Sequence, residues 1–135
     1  MGKLYVGASK VCISPTQDML DKLAAAGATA FKGVHKDVFV RCIALTDGTQ
    51  KFLIFSIEMG SFPAQRRFRE TLCNEFGIHP NAVMLGNTHN HQMLQANDPE
   101  ENPPGVSLKA KSEQEIQMNE WLISFFHGKA LDAAA

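Results

Sequence analysis

No run of about 18 apolar residues, the length needed to cross a bilayer, occurs anywhere in the chain. The amino terminus, Met1-Gly2-Lys3-Leu4-Tyr5-Val6, also lacks the apolar stretch of a secretory signal. These two absences predict a cytoplasmic protein with no membrane span. Neither sign of charge is in excess: 13 Lys and Arg stand against 14 Asp and Glu, a net charge of -1. No long-range field then draws the chain to nucleic acid or to an anionic membrane, and neither is an expected partner. Cysteine is scarce. Cys12, Cys42 and Cys73 are an odd set, at spacings that suit neither a disulfide framework nor a zinc cluster, so small buried filler is the expected role of each. Also missing are a glycine-rich phosphate loop, a Gly-x-Ser-x-Gly elbow and a Cys-x-x-Cys pair. Their absence argues against nucleotide binding, a serine-triad hydrolase and a zinc ribbon.

What is present is ordinary globular material. A length of 135 residues and a hydrophobic content of 44% fit one α/β domain spanning the chain. Tyr5 to Ile13 reads as an extended segment that Pro15 ends, and Thr16 to Ala26 places Met19, Leu20 and Leu23 at helical spacing before Gly27. Two apolar runs, Val38 to Leu45 and Phe52 to Ile57, flank the turn dipeptide Asp47-Gly48 and predict an antiparallel hairpin. From Pro63 to Phe76, Ala64, Phe68, Leu72 and Phe76 recur every four residues, and Gly77 follows as a helix stop. Ala82 to Gly86 is a further short apolar strand, so strand, helix and strand form a β-α-β crossover with parallel strands. The expected fold is therefore a mixed sheet, one hairpin plus one crossover, with helices packed on it. Gln95 to Lys111 is polar and proline-rich and reads as an irregular loop. A capping box of Ser112 and Glu115 then opens an amphipathic helix with the stripe Met118, Trp121, Leu122, Phe125 and Phe126.

Chemistry concentrates where the last strand ends, at Thr88-His89-Asn90-His91. Ligand sites of such sheets lie beyond the carboxyl ends of the strands. One residue separates His89 from His91, so on extended backbone both imidazoles face one side and suit a shared metal ion. The alternative is a capped strand end with solvated histidines. Asn87, Thr88 and Asn90 add hydrogen-bonding groups to the same turn. Glu58 closes an apolar strand, as a site carboxylate or as a terminus emerging into water. His35 precedes the hairpin and is either a neighbour of the site or an exposed loop residue. His79 and His127 read as surface or cap residues, and Arg66, Arg67 and Arg69 as a solvated helix face.

The order of these motifs resembles the amino-terminal part of the neutral/alkaline, non-lysosomal ceramidase family. The matching run is Val6-Gly7-Ala8-Ser9-Lys10-Val11 with Ile13-Ser14-Pro15, then Gly33-Val34-His35, Val38 to Leu45, Asp47-Gly48 and Phe55-Ser56-Ile57-Glu58-Met59-Gly60. Thr88-His89-Asn90-His91 completes it and is similar to the family's Thr-His-Thr-His-Ser-Gly-Pro signature, with Asn90 in place of the second threonine and Gln92-Met93-Leu94 in place of Ser-Gly-Pro. The resemblance implies a zinc-dependent amidase that acts on a lipid-like N-acyl substrate. In it His89 is a metal ligand, His91 the catalytic contact to the substrate or oxyanion, and Thr88 and Asn90 are substrate-binding; Glu58 and His35 are candidates for supporting roles. It also implies further ligands beyond Ala135, so a homo-oligomer or a complementing polypeptide is the expected partner. The alternative is a non-catalytic binding or assembly module that keeps the family's α/β core.

Overall fold

The computed structural model describes residues 2–96 and 113–135. Four strands, β1 (Tyr5–Cys12), β2 (Phe39–Thr46), β3 (Lys51–Ile57) and β4 (Val83–Asn87), form one sheet in the order β1-β2-β3-β4. The first three run antiparallel, and β4 pairs parallel to β3, with Leu53 beside Val83 and Ile57 beside Asn87. The mixed α/β sheet and its hairpin match the expectation from sequence. The hairpin loop is longer than the Asp47-Gly48 dipeptide implies, because the register pairs Thr46 with Lys51. Asp47 Oδ1 accepts from both Thr49 N and Gln50 N at 2.8 Å, which folds four residues around one carboxylate and holds its pKa below the usual range.

Three α-helices accompany the sheet: α1 (Gln17–Ala25), α2 (Gln65–Phe76) and α3 (Glu113–Ala134). Thr16 caps α1 by accepting from Met19 N, and Gly77, at φ 66°, ends α2 as the sequence predicts. The start of α2 differs. Helical geometry begins at Gln65, because Ala64 adopts the left-handed region at φ 51° and Pro63 lies outside the helix. Of the capping box expected for α3, Ser112 lies outside the described residues, as does most of the predicted Gln95–Lys111 loop.

All the helices bury apolar side chains in one core that includes Val40, Phe55, Ile57 and Val83 from one face of the sheet. α3 lies against β1 and β2, where Ser9 Oγ donates to Ala133 O. Its buried stripe is Leu122, Ile123, Phe126, His127, Ala130 and Ala133, whereas Trp121 is left partly exposed. His127 is thus not the surface or cap residue that sequence suggests. Its ring stacks on Phe62 at 5.1 Å and meets Phe68 at 5.2 Å, and Nε2 donates to Pro63 O at 2.8 Å. Burial of an imidazole is tolerated here because its polar edge has a carbonyl partner. The helix arginines are also more than a solvated face: Arg67 pairs with Glu120 at 2.8 Å, and Arg69 donates to the carbonyls of Pro80 and Val83. The Arg67 guanidinium, by hydrogen bond and then by charge, lowers the Glu120 pKa.

Among the described residues no helix covers the opposite face of the sheet. Val6, Ile43, Phe52 and Met84, which share that face by register, are 64%, 42%, 46% and 64% exposed.

Two predictions follow from this packing. Phe68 is fully buried against Phe55, Phe62 and His127, so Phe68→Ala should lower the unfolding free energy by about 3–5 kcal/mol in a denaturant titration. Of the cysteines only Cys42 is buried, with its pKa pushed up to about 11 by desolvation, while Cys12 and Cys73 are exposed, contrary to the filler role expected for all three. A thiol reagent such as Ellman's at neutral pH should therefore titrate two thiols in the native protein and the third only on unfolding.

Candidate functional site

The carboxyl ends of the parallel strands set the site. β3 leads through Glu58, Met59 and Gly60 towards α2, and β4 leads into the turn 88–92. Thr88 N donates to Ile57 O at 2.9 Å, so the turn begins as a continuation of the sheet. Asn90 Oδ1 accepts from Gln92 N at 2.9 Å and tightens the turn locally. Between them His89 takes the left-handed backbone conformation at φ 63°. That conformation disfavours side chains with a Cβ by about 1–2 kcal/mol.

The two imidazoles meet as predicted. His89 Nε2 and His91 Nε2 are 3.0 Å apart, with the rings nearly perpendicular at 85°. His89 Nδ1 lies 3.3 Å from Gly60 O. A carbonyl only accepts, so in this contact Nδ1 carries the proton and the neutral ring keeps a lone pair on Nε2. His91 Nε2 must then donate to it. The arrangement gives the two histidines opposite characters, an acceptor at His89 and a donor at His91. Fixing one ring nitrogen on a backbone carbonyl is also how a metal-binding histidine is oriented. Gln95 packs over the same loop, with Oε1 accepting from Ser61 N at 3.3 Å.

A cleft of about 560 Å³ lies beside the turn. Leu20, Val38, Met93 and Leu94 give it an apolar lining, and Glu58, Thr88, Asn90 and His35 give it polar groups. Four of the six sequence-predicted site residues thus gather around one cavity. His89 and His91 do not line it. Side chains 88, 90 and 92 enter the cleft, and the odd-numbered pair turns away from it to meet near Gly60. The left-handed backbone at His89 lies at the centre of this division, so the extended alternation that the spacing suggested is not what brings the two imidazoles together.

Glu58 is committed elsewhere. One carboxylate oxygen accepts from Phe39 N at 2.6 Å, and the other pairs with Arg41 at 3.2 Å. Its partners lie at the end of β2, so neither a carboxylate free for the site nor a terminus simply emerging into water describes it. Asn87, which the sequence grouped only loosely with the turn, has a buried Oδ1 without a hydrogen-bond donor among the described residues. Such an atom costs about 1–3 kcal/mol unless a donor reaches it, and it lies two residues before His89. Among the described residues no group of three or more His, Cys, Asp or Glu side chains is placed to hold a metal ion. No family model matches the chain, and no curated protein matches it. No described helix is long and apolar enough to cross a membrane.

The strain at position 89 is testable. Glycine adopts positive φ freely, so His89→Gly should be more stable than His89→Ala by about 1 kcal/mol in thermal or denaturant unfolding. Equal stabilities would mean that the left-handed turn is not populated in solution.

Proposed function

We propose that this chain supplies the His-x-His half of a zinc-dependent amide hydrolase site of the neutral/alkaline ceramidase type, with a complementing polypeptide or further copies supplying the remaining ligands. The observation that carries the reading is the pairing of His89 and His91 with its built-in polarity. His89, held through Nδ1 on Gly60 O, offers the Nε2 lone pair that a metal requires. His91 offers an N–H of the kind that stabilises an oxyanion as an acyl group is attacked. His89 thus offers one nitrogen ligand, on the nitrogen that the His91 N–H meets at 3.0 Å, so a metal there would take the place of that contact and free the His91 N–H for substrate. The residues therefore fit a metal only as a partial set. Zinc, when bound, polarises a carbonyl or activates water.

Substrate would be held by the cleft. Its apolar lining suits an acyl chain, and Thr88 and Asn90 present a hydroxyl and an amide to the amide group of a lipid-like N-acyl compound. Because His89 and His91 do not line the cleft, the reacting bond in this reading lies at the cleft's edge beside the 88–92 turn. The orphaned Asn87 Oδ1 supports a site that acquires a donor when it is occupied. The second reading, a non-catalytic assembly module, draws on one observation, the helix-free apolar face of the sheet.

Isothermal titration of zinc into the isolated protein separates these readings. The expected result is weak binding, well short of the ~10–16 kcal/mol of a complete structural zinc site, and its loss in His89→Ala. An isotherm that His89→Ala leaves unchanged, or one as tight as a complete site in the isolated chain, overturns the proposal.

A further inference from the structure

The loop 58–64 between β3 and α2 offers the site one backbone group, the Gly60 carbonyl that meets His89 Nδ1 at 3.3 Å. Glycine has no side chain through which its peptide can be held, so the direction of this carbonyl is set by the neighbours of Gly60. Met59, Phe62 and Ala64 are buried around it, and Ala64 keeps left-handed backbone at φ 51°. A non-glycine residue stays in that region only where its surroundings hold it there. At this end of the loop the surroundings include α3. His127 stacks on the Phe62 ring at 5.1 Å and 23°, and its Nε2 donates to Pro63 O at 2.8 Å. The first rung of α2 runs from Phe68 N to Ala64 O, one residue past Pro63, so the Pro63 carbonyl finds its partner in α3. A phenylalanine would fill the same space beside Phe62 and Phe68 without burying a polar edge. What the imidazole adds is the N–H. Gln95 closes another side of the loop: a Cβ on Gly60 would fall 3.0 Å from its Nε2, and its Oε1 accepts from Ser61 N at 3.3 Å.

We infer that His127 is a positioning residue for the His89–His91 pair. Through the Phe62 ring and the Pro63 carbonyl it holds the loop, and the loop aims the Gly60 carbonyl. That carbonyl in turn keeps the His89 proton on Nδ1 and its lone pair on Nε2. The connection runs through contiguous packed groups, as coupling between separated sites requires. Its two ends differ in setting. His127 is buried, whereas His89 and His91 are exposed. An exposed imidazole left to water carries its proton on either nitrogen, so a fixed tautomer at His89 has to be imposed from the protein side. The step from His127 to His89 needs no metal. That the lone pair so fixed serves zinc rests on the hydrolase reading above.

The test is made on the whole chain without metal, with the ring nitrogens of His89 observed by nitrogen NMR at about pH 8, where imidazoles are neutral. The wild type should show the His89 proton on Nδ1. His127→Phe keeps the aromatic packing and removes the N–H, and should shift both His89 nitrogens towards the average of the two tautomers. His127→Gln, whose Nε2 stands the same number of bonds from the backbone as the imidazole Nε2, should restore the wild-type pattern. Leu53→Ala truncates a buried side chain at the far end of β3. It should lower the unfolding midpoint and leave the His89 nitrogens unmoved, which separates positioning from stability. Should His127→Phe fail to fold, Phe62→Leu replaces it, because it removes the stacking partner and keeps the imidazole, and it should shift the His89 nitrogens the same way. Four results overturn the assignment: a wild-type His89 proton on Nε2, nitrogens that do not move in the folded variant, a pattern that His127→Gln does not restore, or an equal shift in Leu53→Ala. Since these shifts are read without metal, they decide the role of His127 even where zinc titration fails the hydrolase reading.

Discussion

The four-ring cluster of Phe55, Phe62, Phe68 and His127 is the contact on which the rest of the molecule depends. It joins β3, the loop that follows it and α2 to the distant α3 through edge, tilted and stacked contacts of 4.9–5.5 Å. Aromatic pairs of this kind contribute beyond the area they bury. Their position matters as much as their strength. Met59 and Phe62 are fully buried on either side of Gly60, and Pro63 receives the His127 hydrogen bond. The loop between β3 and α2 is therefore fixed at both ends, and its Gly60 carbonyl is held where His89 meets it. Core packing in this way sets the tautomer of a residue outside the core.

Much of this was legible in the residues. Period-two and period-four patterns located the strands and helices, and Gly77 ended α2 where expected. The parallel relation of β3 and β4 followed from the crossover, and with it the placement of the Thr88 to His91 turn at the strand ends. Less visible were features that depend on what another element supplies. His127 looks polar and terminal in sequence, yet it lies four residues after Ile123, a helical spacing that puts both on the buried side of α3. Arg69 finds its carbonyl partners at Pro80 and Val83 only because the chain returns to α2 through β4. The spacing of His89 and His91 suggested that they share a side, but it assumed extended backbone; the left-handed turn at His89 and the side on which the cleft lies were not visible in it.

The uncovered sheet face was hidden for a different reason. Phe52-Leu53-Ile54-Phe55 is a continuous apolar run, which in a sheet of this kind reads as a strand buried on both sides. Leu53 and Phe55 are buried in the described chain, Phe52 is exposed and Ile54 only half-covered. The run thus asks for burial on both sides, and among the described residues only one side of it is covered.

The left-handed backbone at His89 carries a meaning for descent. Most side chains are disfavoured there, and glycine or asparagine would relieve the turn. A histidine at such a position carries that backbone cost, so drift without selection would tend to replace it. Among relatives of this chain, those that have abandoned the paired imidazoles should be recognisable by glycine or asparagine at this position, and those that have kept them by an unbroken His-x-His in a turn that does not favour it.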